Sequence, residues 1–252
     1  MRPGACGATA LANATFVSVL AKRVVEAKLA ASPMAKKRPP TIEACKWRNN
    51  RILRLNNVAL IDEDIEWLSA IERLTLWNVK VLPGLLARIE KLWWLDIRGG
   101  SATDLAVVAG AAKLQYLAVN QVRGMCDLSL VSQMTALRYL DLFGLPKVVE
   151  LPSCAGLVNL EHARVGQMCG LLSLHGLLQA PRLRGLELVK KIDVNETDVD
   201  EIIKHRSIQA FSWFAEDVPD NVWVPVVKRI GLPAVRHMHP EQWFGLPEFI
   251  DN

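Results

Sequence analysis

Cysteine is scarce and unpatterned in this chain. Cys6, Cys45, Cys126, Cys154 and Cys169 are odd in number, and no two of them are spaced C-x-x-C. That spacing excludes the usual zinc-ligand pattern, and Cys45 has no second cysteine near enough to close a flanking disulfide cap. The expectation is of free thiols, mostly buried in turns, in a reducing compartment. No glycine-rich phosphate loop is present, and Gly99-Gly100 reads as a turn after a strand. Nothing pairs a candidate nucleophile with a base. Clustered basic residues are also missing: net charge is +4, part of it in the first 40 residues, and the remainder mixes both signs. A nucleic-acid groove is therefore not expected. Residues 5–21 hold the nearest thing to a long apolar run, but Thr9, Asn13, Thr15 and Ser18 interrupt it, and it is too short and polar to span a bilayer.

What is present is a repeated phrase of apolar residues. Its clearest copy is Leu137-Arg138-Tyr139-Leu140-Asp141-Leu142-Phe143-Gly144, and others begin at Ile71, Leu92, Leu114, Leu160, Leu183 and Ile208, with a worn copy from Asn50. Successive starts are separated by 21, 21, 22, 23, 23, 23 and 25 residues. A period in this range marks a solenoid, in which each unit buries its apolar edge against its neighbours. A hydrophobic fraction of 51% suffices for a continuous core. The alternation in Leu74-x-Leu76 or Leu140-x-Leu142 puts those residues on one face of a short strand. The following stretch shifts toward helical spacing, as in Ile65, Leu68 and Ile71, or Leu85, Ile89 and Leu92. Asp62 and Thr197 stand where N-caps belong, and Thr197-x-x-Asp200 reads as a capping box. Strands joined by such crossovers run parallel.

The pattern L-x-x-L-x-L at Ile71/Leu74/Leu76, Leu92/Leu95/Ile97, Leu114/Leu117/Val119, Leu137/Leu140/Leu142 and Leu183/Leu186/Leu188 resembles the leucine-rich-repeat family. Leu151-Pro152 followed by Leu157-x-x-Leu160 adds to the likeness, which covers residues 50–216. The resemblance implies a right-handed α/β solenoid, shaped as a horseshoe. A parallel sheet would line its concave face and short helices or turns its convex face. It also implies a concave face that binds protein partners, without catalysis or cofactor. One departure stands out. The family places Asn or Cys three residues after the last strand leucine, where this chain has Val58, Val79, Gly100, Val122, Leu145, Met168 and Lys191. Asn57 and Asn78 lie one place early, so the turn backbone must be satisfied some other way.

Strand residues that alternate with the core leucines point onto the concave face. The first such row reads Ile52, Arg73, Trp94, Tyr116, Tyr139, His162, Gly185, Ala210. The second reads Arg54, Thr75, Asp96, Ala118, Asp141, Arg164, Glu187, Ser212. The third reads Asn56, Trp77, Arg98, Asn120, Phe143, Gly166, Val189, Phe214. Trp77, Trp94, Tyr116, Tyr139 and Phe143 form an aromatic patch on a face expected to be solvated, with Arg73, Asp96, Arg98, Asn120, Asp141, His162 and Arg164 around it. That composition is that of a protein-binding hot spot. The competing expectation is that the aromatics stack on one another and that Asp141, Arg164 and Glu187 satisfy each other as a cross-strand charge ladder.

Residues 1–40 stand outside the repeat and read as an extension, weakly helical and then basic at Lys36-Lys37-Arg38. A targeting segment, or initiation at Met34, are the alternatives there. Residues 41–216 hold an N-terminal cap, with Ile42 and Trp47 covering the open core, and the solenoid. Residues 217–252, rich in proline and holding Trp223, Trp243 and Phe244, are expected to fold over the C-terminal end with one short helix near residues 224–230. His162 reads as a surface histidine, and His175 and His205 as solvated. Two rival functions have some footing: a small metal-dependent enzyme built on His237 and His239, and a nucleic-acid binder using the basic N-terminal stretch. The favoured reading is a cytoplasmic, or exported effector, module that binds a protein on its concave face. It has no expected small-molecule substrate, nucleic acid or membrane span.

Overall fold

The computed structural model describes residues 45–49 and 51–246 of the 252. The expectations placed on residues 1–40 and on Ile42 fall outside them. Each repeat contributes one short strand to a single sheet. The strands are β1 Cys45–Asn49, β2 Ile52–Asn56, β3 Ala59–Leu60, β4 Arg73–Trp77, β5 Lys80–Val81, β6 Trp94–Arg98, β7 Tyr116–Asn120, β8 Tyr139–Phe143, β9 His162–Met168, β10 Gly185–Ile192 and β11 Ala210–Phe214. The main sheet has nine strands in the order β1-β2-β4-β6-β7-β8-β9-β10-β11. Every join in it is parallel except the first, where β1 runs antiparallel to β2 and covers that edge. β3 and β5 pair separately. The architecture is the α/β parallel-sheet solenoid that the repeat implies.

The leucines of the repeated phrase form one continuous core behind the sheet. Leu74, Leu95, Leu117, Leu160 and Leu186 have no exposed surface, and Leu140 keeps only 2%. The return segments are short because steps of 21–23 residues leave room for little more than a single turn. They hold α1 Ile65–Leu68, α2 His175–Leu178 and several 3-10 turns such as Leu86–Arg88 and Ser129–Gln133. The longest step, 25 residues, accommodates α3 Glu196–Lys204. Leu68, Ile71, Leu85, Ile89 and Leu92 all face inward, as the helical spacing requires.

The caps differ from expectation. Asp62 is the first residue of a 3-10 turn, and Asp64 takes the capping role: its Oδ2 accepts from Ile61 N at 2.9 Å. At α3 the cap is Asn195, two residues before Thr197, in a reciprocal box with Asp198. Asp198 is drawn inward because Ser173 Oγ and Leu174 N of the preceding repeat also donate to it, at 2.7 and 2.8 Å. That pull starts the helix early.

The missing asparagine ladder has a structural replacement. Asn57, Asn78, Gly99, Gln121, Gly144, Gln167 and Lys190, each one place after its third-row residue, all have positive φ, between 49° and 68°. This left-handed turn suits Gly and Asn, which hold four of the seven places. It aims the amides of Asn57, Asn78, Gly99, Gln121 and Gly144 at the carbonyls of the next repeat's Trp77, Arg98, Asn120, Phe143 and Gly166, at 2.8–3.0 Å. The next place is thereby free to be apolar, and Val122, Leu145 and Met168 are buried there.

Candidate functional site

The three concave rows pair in the register that alternation predicts: Arg73, Trp94, Tyr116, Tyr139 and His162 stand side by side on neighbouring strands. Their exposure does not match. Trp94, Tyr116 and Tyr139 retain only 4%, 3% and 2% of their surface, and His162 5%. The expectation of a solvated patch, and of a surface His162, is therefore corrected for this row. The cover is the chain's own C-terminal segment.

After β11, α4 Asp220–Ile230 lies against β11 and α3 at the end of the solenoid. Arg229 holds it to α3 through Glu196 and, at 2.6 Å, Asp200. Gly231 closes the helix with φ of 66°. Phe211 N then donates to Pro233 O and Val235 N to Ser212 Oγ, so the chain runs along the outer edge of β11. Rather than stopping there as an end cap, it continues over the concave face to α5 Pro240–Trp243. Trp243 meets Tyr139 edge-on at 5.5 Å, and Phe244 sits 5.3 Å from Trp93, 5.6 Å from Trp94 and 6.3 Å from Tyr116. α4 thus lies at the end of the solenoid, whereas residues 239–246 lie on the concave face. The physical reason is the row itself: its stacked rings are a large apolar surface, and Trp243 and Phe244 are the aromatic side chains within reach.

Beneath this cover the aromatics do stack on one another. Trp94 and Tyr116 are 3.8 Å apart at 20°, Tyr116 and Tyr139 5.4 Å, and Tyr139 and His162 4.4 Å. The Arg73 guanidinium lies 4.3 Å over the Trp94 ring and bonds Glu241 at 2.6 Å. Gly185, next to His162 in the row, leaves room for the imidazole; a Cβ there would fall 2.6 Å from its Nδ1.

The second row is a buried charge ladder. Arg164 is 3.1 Å from Asp141 and 4.0 Å from Glu187. His162 Nε2 lies 3.4 Å from Glu187 Oε1 without a hydrogen bond between them. Burial pushes the Asp141 carboxyl up to about 6, against the pull of Arg164. Burial likewise raises Asp96, although Arg98 Nε donates to its Oδ2 at 2.8 Å and the Arg98 guanidinium pairs with the same oxygen at 2.7 Å. Asp96 Oδ1 has no hydrogen-bond partner among the described residues. It borders a polar cavity of about 150 Å³ between the sheet and residues 239–241, lined also by Arg54, Arg73 and Arg98.

The third row stays open from Trp77 to Phe143 and again at Phe214, and is closed at Gly166 and Val189. Trp77 is 42% exposed and Phe214 39%, with Arg98 exposed and Asn120 and Phe143 half-buried. Arg54 lies 5.0 Å over the Trp77 ring, and Arg164 reaches from the second row to 5.8 Å over Phe143. The sequence-predicted residues therefore separate into a covered group (Arg73, Trp94, Tyr116, Tyr139, His162), a charge ladder (Asp96, Asp141, Arg164) and an open row (Trp77, Arg98, Asn120, Phe143). Sequence reasoning missed Trp93, Arg138 and Glu241 as concave-face residues. The doubled aromatics Trp93-Trp94 and Trp243-Phe244 were the available signal.

The remaining candidates fall apart. The rings of His237 and His239 are 6.3 Å apart on an irregular segment, and among the described residues no three His, Cys, Asp or Glu side chains cluster as metal ligands. His175 is exposed, while His205 is half-buried with Nε2 3.2 Å from Ala180 O. Cys154 is buried, which pushes its thiol up to about 12. Cys126 and Cys169 are exposed, against the expectation of buried thiols. No helix among the described residues is long and apolar enough to cross a membrane.

No protein-family model matches the chain, and no curated protein matches it. Among solved structures it is similar to an internalin, inlF, of Listeria monocytogenes, with a TM-score of 0.52 and 18% identity. The match covers 71% of this chain and 52% of that one, so the chain spans about half the length of the internalin. At that identity the likeness is one of fold. Repeat, register and structural neighbour agree, and the chain has a leucine-rich-repeat-like fold.

Proposed function

We propose that the protein is a non-catalytic module that binds a protein partner on its concave face, through the open third row. The observation that carries this reading is the exposure of Trp77 and Phe214, at 42% and 39%, on β4 and β11, joined by a row that passes through Arg98, Asn120 and Phe143 and then the buried Gly166 and Val189. With strands about 4.8 Å apart, that row is roughly 29 Å long, a fitting length for one face of a standard interface. Large aromatics and Arg are the residues that dominate binding energy where water is excluded. The free thiols of Cys126, Cys154 and Cys169 support work in a reducing compartment.

The test is affinity capture from the source cell, comparing the wild-type chain with Trp77→Ala/Phe143→Ala/Arg164→Ala after circular dichroism has shown both to be folded. A partner held by the first and lost by the second is the expected result. Equal capture by both would remove the open row as the working surface.

A further inference from the structure

We propose that the covered aromatic row is a peptide-binding groove and that residues 239–246 are its resident ligand. The partner's docking element would be a segment of the same chemistry: an acid two places before a Trp-Phe pair, and a Leu two places after it. This rests on the reading that the concave face binds a protein, and it specifies what that partner presents.

The first support is that the groove and the main core are separate bodies. Trp94, Tyr116, Ala118 and Tyr139 form a cluster of their own, closed from outside by Trp93, Trp243, Phe244 and Leu246. The leucine core lies on the other side of the sheet and includes none of these residues. Lifting the tail would expose the aromatic row without opening the core that holds the solenoid together.

The second support is that the tail docks as a ligand does, by side chains. Its backbone hydrogen bonds close on themselves: Trp243 N donates to His239 O, Phe244 N to Pro240 O, Gly245 N to Gln242 O and Leu246 N to Glu241 O. Between Val235 and His239 it makes no backbone hydrogen bond to the sheet among the described residues. Among the described residues it is held by a charged anchor, Glu241 on Arg73, and by two rings under the Arg138 guanidinium at 5.1 and 5.5 Å. An acidic anchor beside two aromatic knobs, seated in a preformed aromatic groove, is the anatomy of peptide recognition. Trp243 and Phe244 remain half-buried, whereas the rings they cover are nearly sealed.

The tether sets what a partner must bring. A short covalent link keeps the tail at an effective concentration on the order of millimolar. A competing segment of equal intrinsic affinity would rarely enter unless its owner were already held close by. The open row supplies that hold, since Trp77 and Arg98 share strands with Arg73 and Trp94. A partner gripping the open row raises its own segment to a comparable local concentration and takes the tail's place.

The experiment uses the full chain carrying Trp243→Ala/Phe244→Ala, with a fluorescein-labelled peptide of residues 236–246 as the probe, followed by anisotropy. The double variant should bind the peptide saturably and at least about tenfold more tightly than the wild type, whose groove is filled. Adding Tyr116→Ala should weaken that binding about thirtyfold. A folded double variant that ignores the peptide overturns the proposal. Hydrogen exchange on the wild type decides the matter even if the variant misfolds. The amides of Trp243, Phe244, Gly245 and Leu246 should exchange at least about a hundredfold faster than those of Leu117 and Leu140. Exchange in step with the strands would make the tail an inseparable part of the fold and end the idea. A wild-type dimer held by exchanged tails would also overturn it, because the ligand would then be a second copy. Loss of peptide binding with open-row capture intact would refute this inference alone. Peptide binding with capture indifferent to the open-row substitutions would refute only the proposed working surface.

Discussion

Glu241 and Arg73 are 168 positions apart in the chain and meet at 2.6 Å on the concave face, both side chains largely withdrawn from water. The pair joins the last described element to the second parallel strand of the sheet, and it fixes the tail in line with the aromatic row. A charge-assisted hydrogen bond at this depth contributes more than a surface ion pair does. Glu241→Ala should therefore loosen the tail selectively. Exchange of the Trp243 and Phe244 amides should quicken about tenfold, equivalent to about 1.4 kcal/mol, while the strand amides of Leu117 and Leu140 keep their rates. Unchanged tail exchange would show that the aromatic contacts alone hold it.

Asp141 makes stability depend on pH. Its folded-state carboxyl is raised from 3.8 to about 6, so the folded chain holds that proton more tightly than the unfolded chain does. The contribution is fully present below about pH 4 and is lost as pH rises through about 6, up to roughly 3 kcal/mol in all. Urea midpoints measured between pH 4 and 7 should show this fall in the wild type, and Asp141→Asn should shrink it to the part that the raised Asp96 carboxyl contributes. A parallel fall in both proteins would assign the effect to another group.

Asp198 is the buried carboxylate most completely satisfied by hydrogen bonds. It has no exposed surface and accepts from Ser173 Oγ, Leu174 N and Asn195 N at 2.7, 2.8 and 3.1 Å. Asp198→Ala strands those donors across two repeats and should cost about 3–5 kcal/mol, read as a lowered urea midpoint. Asp200→Ala, which breaks an exposed pair with Arg229, should cost less than about 1 kcal/mol. Equal losses would mean that the cap acts only through α3 itself.

The two faces of a strand should respond differently to truncation. Leu140, 2% exposed in the leucine core, should lose about 2–5 kcal/mol on replacement by Ala, through lost transfer energy and the cavity left behind. Trp77→Ala, on the open row, should stay within about 0.5 kcal/mol in thermal unfolding. A large loss at Trp77 would mean that this ring supports the fold rather than a partner.

The sequence by itself determined the solenoid, its period, the parallel sheet and the assignment of each strand residue to a face. Those follow from local rules: alternation along a strand and burial of a repeated leucine edge, copied often enough to leave no competing register. It also exposed the misplaced asparagines, although the left-handed turn that explains them needed the backbone. Only the tertiary structure decided which concave residues are open to solvent. Trp94, Tyr116 and Tyr139 occupy the same repeat position as one another and the same face as Trp77 and Phe143. They are buried because residues 239–246, far along the chain and outside the repeat, lie on them. Periodicity carries information about neighbours one repeat away. It carries none about a non-repeating segment whose place is set by the apolar surface it can cover and by one ion pair with Arg73.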